Sequence, residues 1–323
     1  MILTVTVNPT LDKFYWVEEL PLRLEEPEET VLIRSEKSST SAGGKGINVA
    51  VFLAAQGVET VAMGFLGGHT GQIVLQDLLA RGVSGNFLWI PGETRVNVTV
   101  LARGKEYHPL LIHEAGTPVP PSAIPLFLKK FERMARDAEY VVLGGALAPG
   151  LPVDFYRILV EKASAYGVPT IVHAGGEAVT RALPARPFLV KPDVREELSF
   201  GDMPVRTTEE IIQAGRRALE LGVGACLVSH RLTGDVLVSP EEGVCFLEAD
   251  VPVTEFRNLV GSDDALVGGL LGRLLAGDSL CQAARYGMGA AVASAKVEEK
   301  LCLDPEAIAR EMATVSVRQV EGR

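Results

Sequence analysis

The sequence contains no apolar run long enough to cross a bilayer as a helix, although 47% of its 323 residues are hydrophobic. Its first residues alternate between apolar and polar side chains, as a strand does. They also lack the basic start and the small-residue cleavage site of a signal peptide. We therefore expect a soluble, cytoplasmic protein without a membrane partner.

Basic charge is also scarce, because 31 lysine and arginine residues face 41 aspartate and glutamate residues, for a formal net charge of −10. Nucleic acids and anionic membranes bind basic protein surfaces, so this balance argues against a nucleic-acid partner. Binding of a small anion stays open, since it needs only a few local cations.

Cysteine is scarce as well. The cysteines form no C-x-x-C pair and have no histidine at a metal-ligand spacing. We predict buried free thiols rather than a metal cage or a disulfide framework. The residues concerned are Cys226, Cys245, Cys281 and Cys302.

The pattern that is present is an alternation of strands and helices, most regular after the proline-rich break at residues 118–121. It predicts an α/β fold with a mostly parallel central sheet and helices on both faces. Residues 86–112 read as three successive strands and are expected to form a small sheet apart from the main one.

Ligands of parallel sheets bind at the carboxyl ends of the strands. The loops that should share this edge with the turn at Gly261 follow Leu143, Val172, Val190 and Val228.

A glycine-bearing turn runs into an apolar helix at residues 258–269, with Asp263 and Asp264 at the join. The N–H groups at a helix start are unpaired and the helix dipole adds partial positive charge, so the turn can hold an anion. An aspartate beside that anion can act as a base on a hydroxyl group, as phosphoryl transfer to an alcohol requires. The alternative is an ordinary N-capped helix, since Ser and Asp are favoured caps.

A second glycine loop, G-G-K-G at residues 43–46, opens another helix. It is not a P-loop, because Lys45 is followed by glycine and the spacer between the P-loop glycines is missing. The loop does not match the dinucleotide-binding fingerprint either, because no G-x-G-x-x-G follows the first strand. The loop offers a backbone that a ligand can approach closely, one cation and Asn48, or else it is a tight turn packed on the sheet.

Several motifs occur in the order and spacing of one enzyme family. They are N-P-T-L-D at residues 8–12, A-G-G-K-G-I-N-V-A at 42–50, R-V-N at 95–97, A-P-G-L-P at 148–152, G-G-E-A at 175–178, K-P-D at 191–193 and G-S-D-D at 261–264. Over nearly its whole length the chain resembles the PfkB (ribokinase-like) carbohydrate kinases. Within them it is most similar to the branch of 1-phosphofructokinase and tagatose-6-phosphate kinase.

The resemblance implies a small β lid, residues 9–40 and 88–113, that closes over the sugar and excludes water. The α/β core that binds the nucleotide would comprise residues 1–8, 41–87 and 114–323.

On the sugar side, the resemblance implies residues that bind hydroxyl groups and cations that bind phosphate. The hydroxyl-binding groups would be Asp12, Asn48 and the backbones of Gly43 and Gly44. The cations that grip the phosphate already on the sugar would be Arg34, Lys45 and Arg95.

On the nucleotide side, the resemblance implies that Asp264 is the catalytic base and that the turn before it is the anion hole. The residues of that turn are Gly261, Ser262 and Asp263. The residues that bind ATP would be Lys191, Asp193, Ser229, Arg231 and Gly234. Glu196 would help to place Mg²⁺ on the ATP phosphates through water.

The sequence departs from the family pattern mainly on this side. Asp263 and Arg231 stand where glycine is usual, and Asp193 stands where asparagine is usual. Neighbouring helical residues point about 100° apart, so Asp263 must turn away from the transferring phosphate or meet a cation. One hypothesis is that Asp193 and Glu196, with Asp263 as a third candidate, hold Mg²⁺ more directly than usual.

Two further departures lie near the sugar site. Gly144 and Ala146 replace residues whose hydroxyl groups would help to hold the sugar, and His173 stands where aspartate is common. As a lone histidine, His173 is predicted to be structural rather than catalytic.

The predicted function is ATP-dependent phosphorylation of a ketohexose phosphate, namely fructose 1-phosphate, fructose 6-phosphate or tagatose 6-phosphate, to a bisphosphate. One alternative is a catalytically weakened relative that only binds sugar phosphate or nucleotide. Another is a kinase for an unphosphorylated sugar or a nucleoside, in which the lid cations would be surface residues. A homodimer through the lid strands is also expected.

Overall fold

The computed structural model describes residues 1–20, 32–105, 108–194 and 198–320. Its strands are β1 (Ile2–Thr6), β2 (Thr10–Val17), β3 (Ser35–Gly43), β4 (Thr60–Leu66), β5 (Ser84–Gly85), β6 (Leu88–Trp89), β7 (Arg95–Ala102), β8 (Leu110–His113), β9 (Tyr140–Gly144), β10 (Thr170–His173), β11 (Leu189–Val190), β12 (Ser199–Phe200), β13 (Met203–Pro204), β14 (Ala225–Arg231), β15 (Gly234–Ser239), β16 (Gly243–Ala249) and β17 (Val315–Val320). Its helices are α1 (Lys45–Ala55), α2 (Gly68–Ala80), α3 (Ala123–Ala135), α4 (Phe155–Ser164), α5 (Gly176–Ala182), α6 (Thr208–Glu220), α7 (Ser262–Leu275), α8 (Leu280–Ala295) and α9 (Pro305–Ala313).

The main sheet has the strand order β17-β16-β15-β14-β11-β10-β9-β1-β4-β5, and β6 also pairs with β4. Pairing is parallel from β14 through β11, β10, β9 and β1 to β4, β5 and β6. It is antiparallel from β14 to β17. The predicted α/β fold with a mostly parallel sheet is confirmed.

Helices cover both faces of this sheet, because successive side chains of its central strands point to opposite sides. Ile2 and Val142 pack into one core together with α1, α7 and α8. Their chain neighbours Leu3 and Val141 pack into the other core together with α3, α4 and α6. Strands buried on both faces read as continuous apolar runs, which is why the sequence pattern identifies them.

A second sheet has the order β3-β2-β7-β8. Strand β2 pairs antiparallel with β3 and parallel with β7, and β7 pairs antiparallel with β8. The expectation that all strands of residues 86–112 join this sheet was wrong for β6, which pairs with β4 instead. Ile90 explains the difference, since it is buried and its N–H donates to the Leu66 carbonyl of the main sheet at 2.8 Å.

Within the described ranges, no helix has the length and apolar character needed to cross a membrane. All four cysteines are buried and none forms a disulfide, as predicted. The division into a core and a lid at residues 9–40 and 88–113 stays a prediction.

Phe127→Ala should lower the free energy of unfolding by about 3–5 kcal/mol, because it leaves a cavity in the core beside α3. Phe127 has no exposed surface, and its ring centroid lies 4.6 Å from that of Phe65 and 5.8 Å from that of Phe155. Urea unfolding measures the loss.

The control is Leu126→Ala, one residue earlier on the same helix, where the side chain is 60% exposed. This substitution should change the free energy of unfolding by less than about 0.5 kcal/mol. Equal losses in the two variants would contradict the packing described for α3.

Candidate active site

Two helices begin at the carboxyl edge of the main sheet, and both begin at a glycine. Gly44 precedes α1 with a φ of 110°, and Gly261 precedes α7 with a φ of 91°. Such positive φ angles favour glycine, since a Cβ would be strained there. The start of α1 also packs directly on the end of β9, because a Cβ on Gly144 would lie 2.5 Å from the Gly46 nitrogen.

Asp264 lies buried in the first turn of α7, with a donor on each carboxylate oxygen. The Asn48 side chain donates from Nδ2 to Oδ2 at 2.7 Å. His173, the last residue of β10, places Nε2 at 2.9 Å from Oδ1. The helix start, the end of β10 and the first turns of α1 therefore meet at one carboxylate.

These donors determine the acidity of Asp264. Burial alone would raise the pKa of Asp264, but the hydrogen bond from His173, the charge of Lys45 and the hydrogen bond from Asn48 outweigh it. The pKa of Asp264 is held below its ordinary value. The side chain is therefore an ionised, oriented acceptor at neutral pH.

His173 lies between Asp264 and a backbone carbonyl of the sheet. Its Nδ1 lies 3.1 Å from the Lys191 carbonyl oxygen, which can only accept a hydrogen bond, so Nδ1 carries a hydrogen. The other ring nitrogen, Nε2, faces the Asp264 carboxylate. The sequence prediction of a structural role missed this contact, because only the fold brings the end of β10 to the start of α7.

Asp263 meets a cation, which was one of the two outcomes expected for it. Lys191 Nζ lies 3.2 Å from Asp263 Oδ1 and donates to Ser229 Oγ at 2.7 Å. Burial alone would lower the pKa of Lys191, but the charges of Asp263 and Asp235 outweigh burial and raise it. Asp263 is therefore neutralised by a buried, protonated lysine.

The hypothesis of direct Mg²⁺ ligation stays a prediction, and two of its three carboxylates face lysines. Asp193 forms an ion pair with Lys45, whose Nζ lies 3.0 Å from Oδ2, and Asp263 faces Lys191 in the same way. Each lysine faces one oxygen of its carboxylate, so Mg²⁺ would have to bind the other oxygen or displace the lysine. Glu196, the third residue of that hypothesis, lies outside the described residues.

The residues predicted to hold sugar hydroxyl groups lie together. Asp12 on β2 packs so closely on Gly43 that a Cβ there would lie 2.1 Å from Oδ2, which requires glycine. Lys300, which no motif indicated, donates to Asp12 Oδ2 at 2.8 Å and to the Asn48 side chain. Asn48 thus contacts the candidate base on one side and Lys300 on the other.

The predicted phosphate-binding cations are less tightly grouped. Arg95 donates to the backbone carbonyls of Asn8 at 3.0 Å and Glu114 at 2.9 Å, where the chain passes between the two sheets. Lys45 is held by Asp193. Arg34 is exposed just before β3, and no ion pair joins it to another residue of the described ranges.

The other nucleotide-side residues fall into a buried and an exposed group. Ser229 is part of the buried group, since it accepts from Lys191 and donates to Asp235 Oδ1 at 2.9 Å. Arg231 is exposed and pairs with Glu248 at 3.3 Å. A cleft beside the β14–β15 hairpin is lined by Arg231, Gly234, Asp235, Phe246 and Arg318, among others.

Gly144 and its neighbour Gly145 also have a partner that the sequence did not indicate. The buried Tyr156 hydroxyl lies 3.1 Å from the Gly144 carbonyl and 2.8 Å from the Gly145 carbonyl. Burial raises the pKa of Tyr156, so the hydroxyl stays protonated and donates. This fixes the loop after β9 through its backbone, although the hydroxyl groups typical of the family are missing.

Comparison with known proteins agrees with this geometry. Residues 15–308 match the model of the pfkB family carbohydrate kinases. The chain is 31% identical over 300 residues to 1-phosphofructokinase of Bacillus subtilis (strain 168), an alignment that covers 93% of this chain and 94% of that protein.

Solved structures show the same architecture. A possible 1-phosphofructokinase from Thermotoga maritima superposes with a TM-score of 0.89 at 27% identity, covering 99% of both chains. Phosphofructokinase-2 of Escherichia coli, in complex with substrates and products, gives a TM-score of 0.84 at 24% identity over 97% of this chain and 98% of that one, which supports the fold alone. The chain belongs to the pfkB family of carbohydrate kinases and is a phosphotransferase with an alcohol group as acceptor.

Proposed function

We propose that this kinase transfers a phosphoryl group from ATP to a hydroxymethyl group of a ketohexose phosphate, and that the product is a bisphosphate. The acceptors we consider are fructose 1-phosphate, fructose 6-phosphate and tagatose 6-phosphate. The observation that carries the proposal is Asp264, a buried carboxylate at a glycine-started helix, with Asp12 and Asn48 close by. The similarity to 1-phosphofructokinase supports it.

In the proposed reaction, Asp264 accepts the proton of the attacking hydroxyl group. Asn48 and His173 keep the carboxylate fixed, so it need not reorient when the substrate arrives. The N–H groups at the start of α7 face the negative charge that develops on the transferring phosphoryl group. No side-chain cap occupies that helix start.

The phosphate already on the sugar would meet Lys45 and Arg95. Arg95 has one donor, Nε, without a hydrogen-bond partner among the residues described, while its terminal nitrogens donate to backbone carbonyls. Burial also lowers the pKa of Arg95, although not enough to discharge a guanidinium. Arg34 would join these cations only if the segment before β3 turned toward the site.

The nucleotide would lie along β14 and β15, near Lys191, Ser229, Arg231 and Gly234. The binding of Mg²⁺ stays a prediction. The ion would arrive bound to the phosphates of ATP, since the carboxylates of Asp193 and Asp263 already face lysines. The ion pair of Asp263 with Lys191 also weakens the argument for a catalytically inactive relative. The positive charge of Lys191 offsets the repulsion between the Asp263 carboxylate and the transferring phosphoryl group.

The lid dimer likewise stays a prediction. Strand β8 is an edge strand of the second sheet, so its outer edge could pair with the same strand of a second copy. Its residues Leu111 and Ile112 are 41% and 55% exposed, on opposite faces of that sheet. A tetrameric form is known for the Escherichia coli phosphofructokinase-2.

Asp264→Asn should reduce kcat by roughly a hundredfold to ten-thousandfold, because asparagine keeps the size of the side chain but cannot accept the proton. Binding of the sugar phosphate should be nearly unchanged. Release of ADP in a coupled assay measures kcat, and calorimetry measures binding.

Asp202→Asn is the control, since Asp202 is exposed in a turn with a φ of 63°, a conformation that asparagine tolerates. It should leave both quantities unchanged. Substantial turnover by Asp264→Asn would show that Asp264 is not the base.

His173→Leu should move the acidic limb of the kcat/KM profile to higher pH. Burial of Asp264 would remain while its hydrogen bond to His173 is lost, so the pKa of Asp264 rises and the carboxylate is protonated, and inactive, at a higher pH. Initial rates across the acidic range measure the shift.

His69→Leu is the control, because the His69 side chain is 94% exposed on α2. Its profile should coincide with that of the wild type. An acidic limb that stays in place in His173→Leu would mean that the pair does not set the ionisation of the base.

A further inference from the structure

A lysine ammonium lies buried between the second sheet and α1. Lys300 belongs to the loop of residues 296–304, which joins α8 to α9, and its side chain is only 8% exposed. Besides Asp12, Nζ donates to the Ala42 carbonyl at 2.6 Å and to Asn48 Oδ1 at 3.1 Å. An ammonium group has three hydrogens to donate, so these contacts use all of them.

The contacts of Lys300 determine which atoms remain for a ligand. Lys300 donates to Oδ2 of Asp12, and no residue of the described ranges donates a hydrogen bond to Oδ1. Asn48 Nδ2 uses one hydrogen for Asp264 and keeps the other. One carboxylate acceptor and one amide donor thus remain on two side chains that share Lys300, which suits hydroxyl groups of a sugar.

Lys300 also fixes the orientation of Asn48. An ammonium group can only donate, so the Asn48 atom that faces Lys300 must be the carbonyl oxygen. The amide nitrogen then points to Asp264, which as a carboxylate can only accept. The Asn48 amide group therefore links Lys300 to the candidate base, Asp264, by one hydrogen bond on each side.

The same loop packs against the turn that starts α7. A Cβ on Gly261 would lie 2.6 Å from the Lys300 carbonyl oxygen, so the two backbones touch. Asn258 Nδ2 donates to the Glu298 carbonyl at 3.0 Å and ties the loop to the residues before the turn. The loop contacts the sugar-side residues through a side chain and the helix start through its backbone.

We propose that Lys300 is a positioning residue for the sugar substrate, which it serves by holding Asp12 and Asn48 in the geometry that receives the hydroxyl groups of the acceptor. The proposal rests on the proposed function, since it takes a sugar phosphate as the ligand. The buried carboxylate of Asp12 needs a counter-charge, and removal of one partner of a buried ion pair leaves an uncompensated charge. Loss of Lys300 should therefore disturb the sugar side of the cleft rather than the nucleotide side.

Lys300→Met, which keeps the length of the side chain without its charge, should raise KM for the sugar phosphate roughly ten- to hundredfold. KM for ATP should stay within about twofold of the wild-type value. Steady-state kinetics with fructose 1-phosphate, fructose 6-phosphate and ATP varied in turn measure the difference. Lys300→Arg, which restores the charge, should recover part of the sugar affinity.

The control is Lys37→Met on β3, because Lys37 pairs with Glu298 of the same loop while its side chain is 51% exposed. It should leave both KM values unchanged. Thermal unfolding verifies that each variant is folded, and Lys300→Gln replaces Lys300→Met if the latter is not. A rise in both KM values alike, or in neither, would overturn the role of Lys300.

Calorimetric titration with the same two fructose phosphates, without ATP, separates this inference from the proposed function. If the wild type binds a fructose phosphate but transfers no phosphoryl group, the proposed function fails. Selective loss of that binding in Lys300→Met would still support the role of Lys300. Unchanged binding in Lys300→Met, or no fructose phosphate binding by the wild type, would contradict it.

Discussion

A carboxylate that is taken out of water needs hydrogen-bond donors, and Asp264 has one on each oxygen. Asn48 comes from α1 and His173 from the end of β10, so the position of this one side chain depends on three separated segments of the chain. The glycines before α1 and α7 contribute to this position as well, because they let both helices begin at the sheet edge. Much of the fold around the site can be understood as support for this carboxylate.

Three other carboxylates near the site form ion pairs with lysines. Asp263 pairs with Lys191, Asp193 with Lys45, and Asp12 with Lys300. In a chain with a net charge of −10, these pairs keep a site for two anionic substrates from becoming repulsive. Two of these pairs place the acidic residues that depart from the family pattern, Asp263 and Asp193, next to cations.

The fold was largely predictable from the sequence, because strands buried on both faces and amphipathic helices leave clear periodic patterns. The glycine turns at residues 43–46 and 261–264 were recognisable for a local reason, since their backbone conformation restricts the residue type. His173 and Lys300 were not recognisable in this way. A single histidine or lysine has no local pattern, and the contacts of these two arise only when distant segments meet. The same holds for β6, whose pairing depends on where Ile90 is buried.

We propose that the site beside Asp264 accepts a phosphorylated ketohexose, with Lys45 and Arg95 on its phosphate. The most direct measurement is ADP release with Mg²⁺-ATP across a panel of ketohexose phosphates, the corresponding free sugars and nucleosides. The account predicts that a ketohexose phosphate has the highest kcat/KM and that the free sugars are poor acceptors. A free sugar or a nucleoside that outcompetes every sugar phosphate, or a panel without turnover, would contradict it.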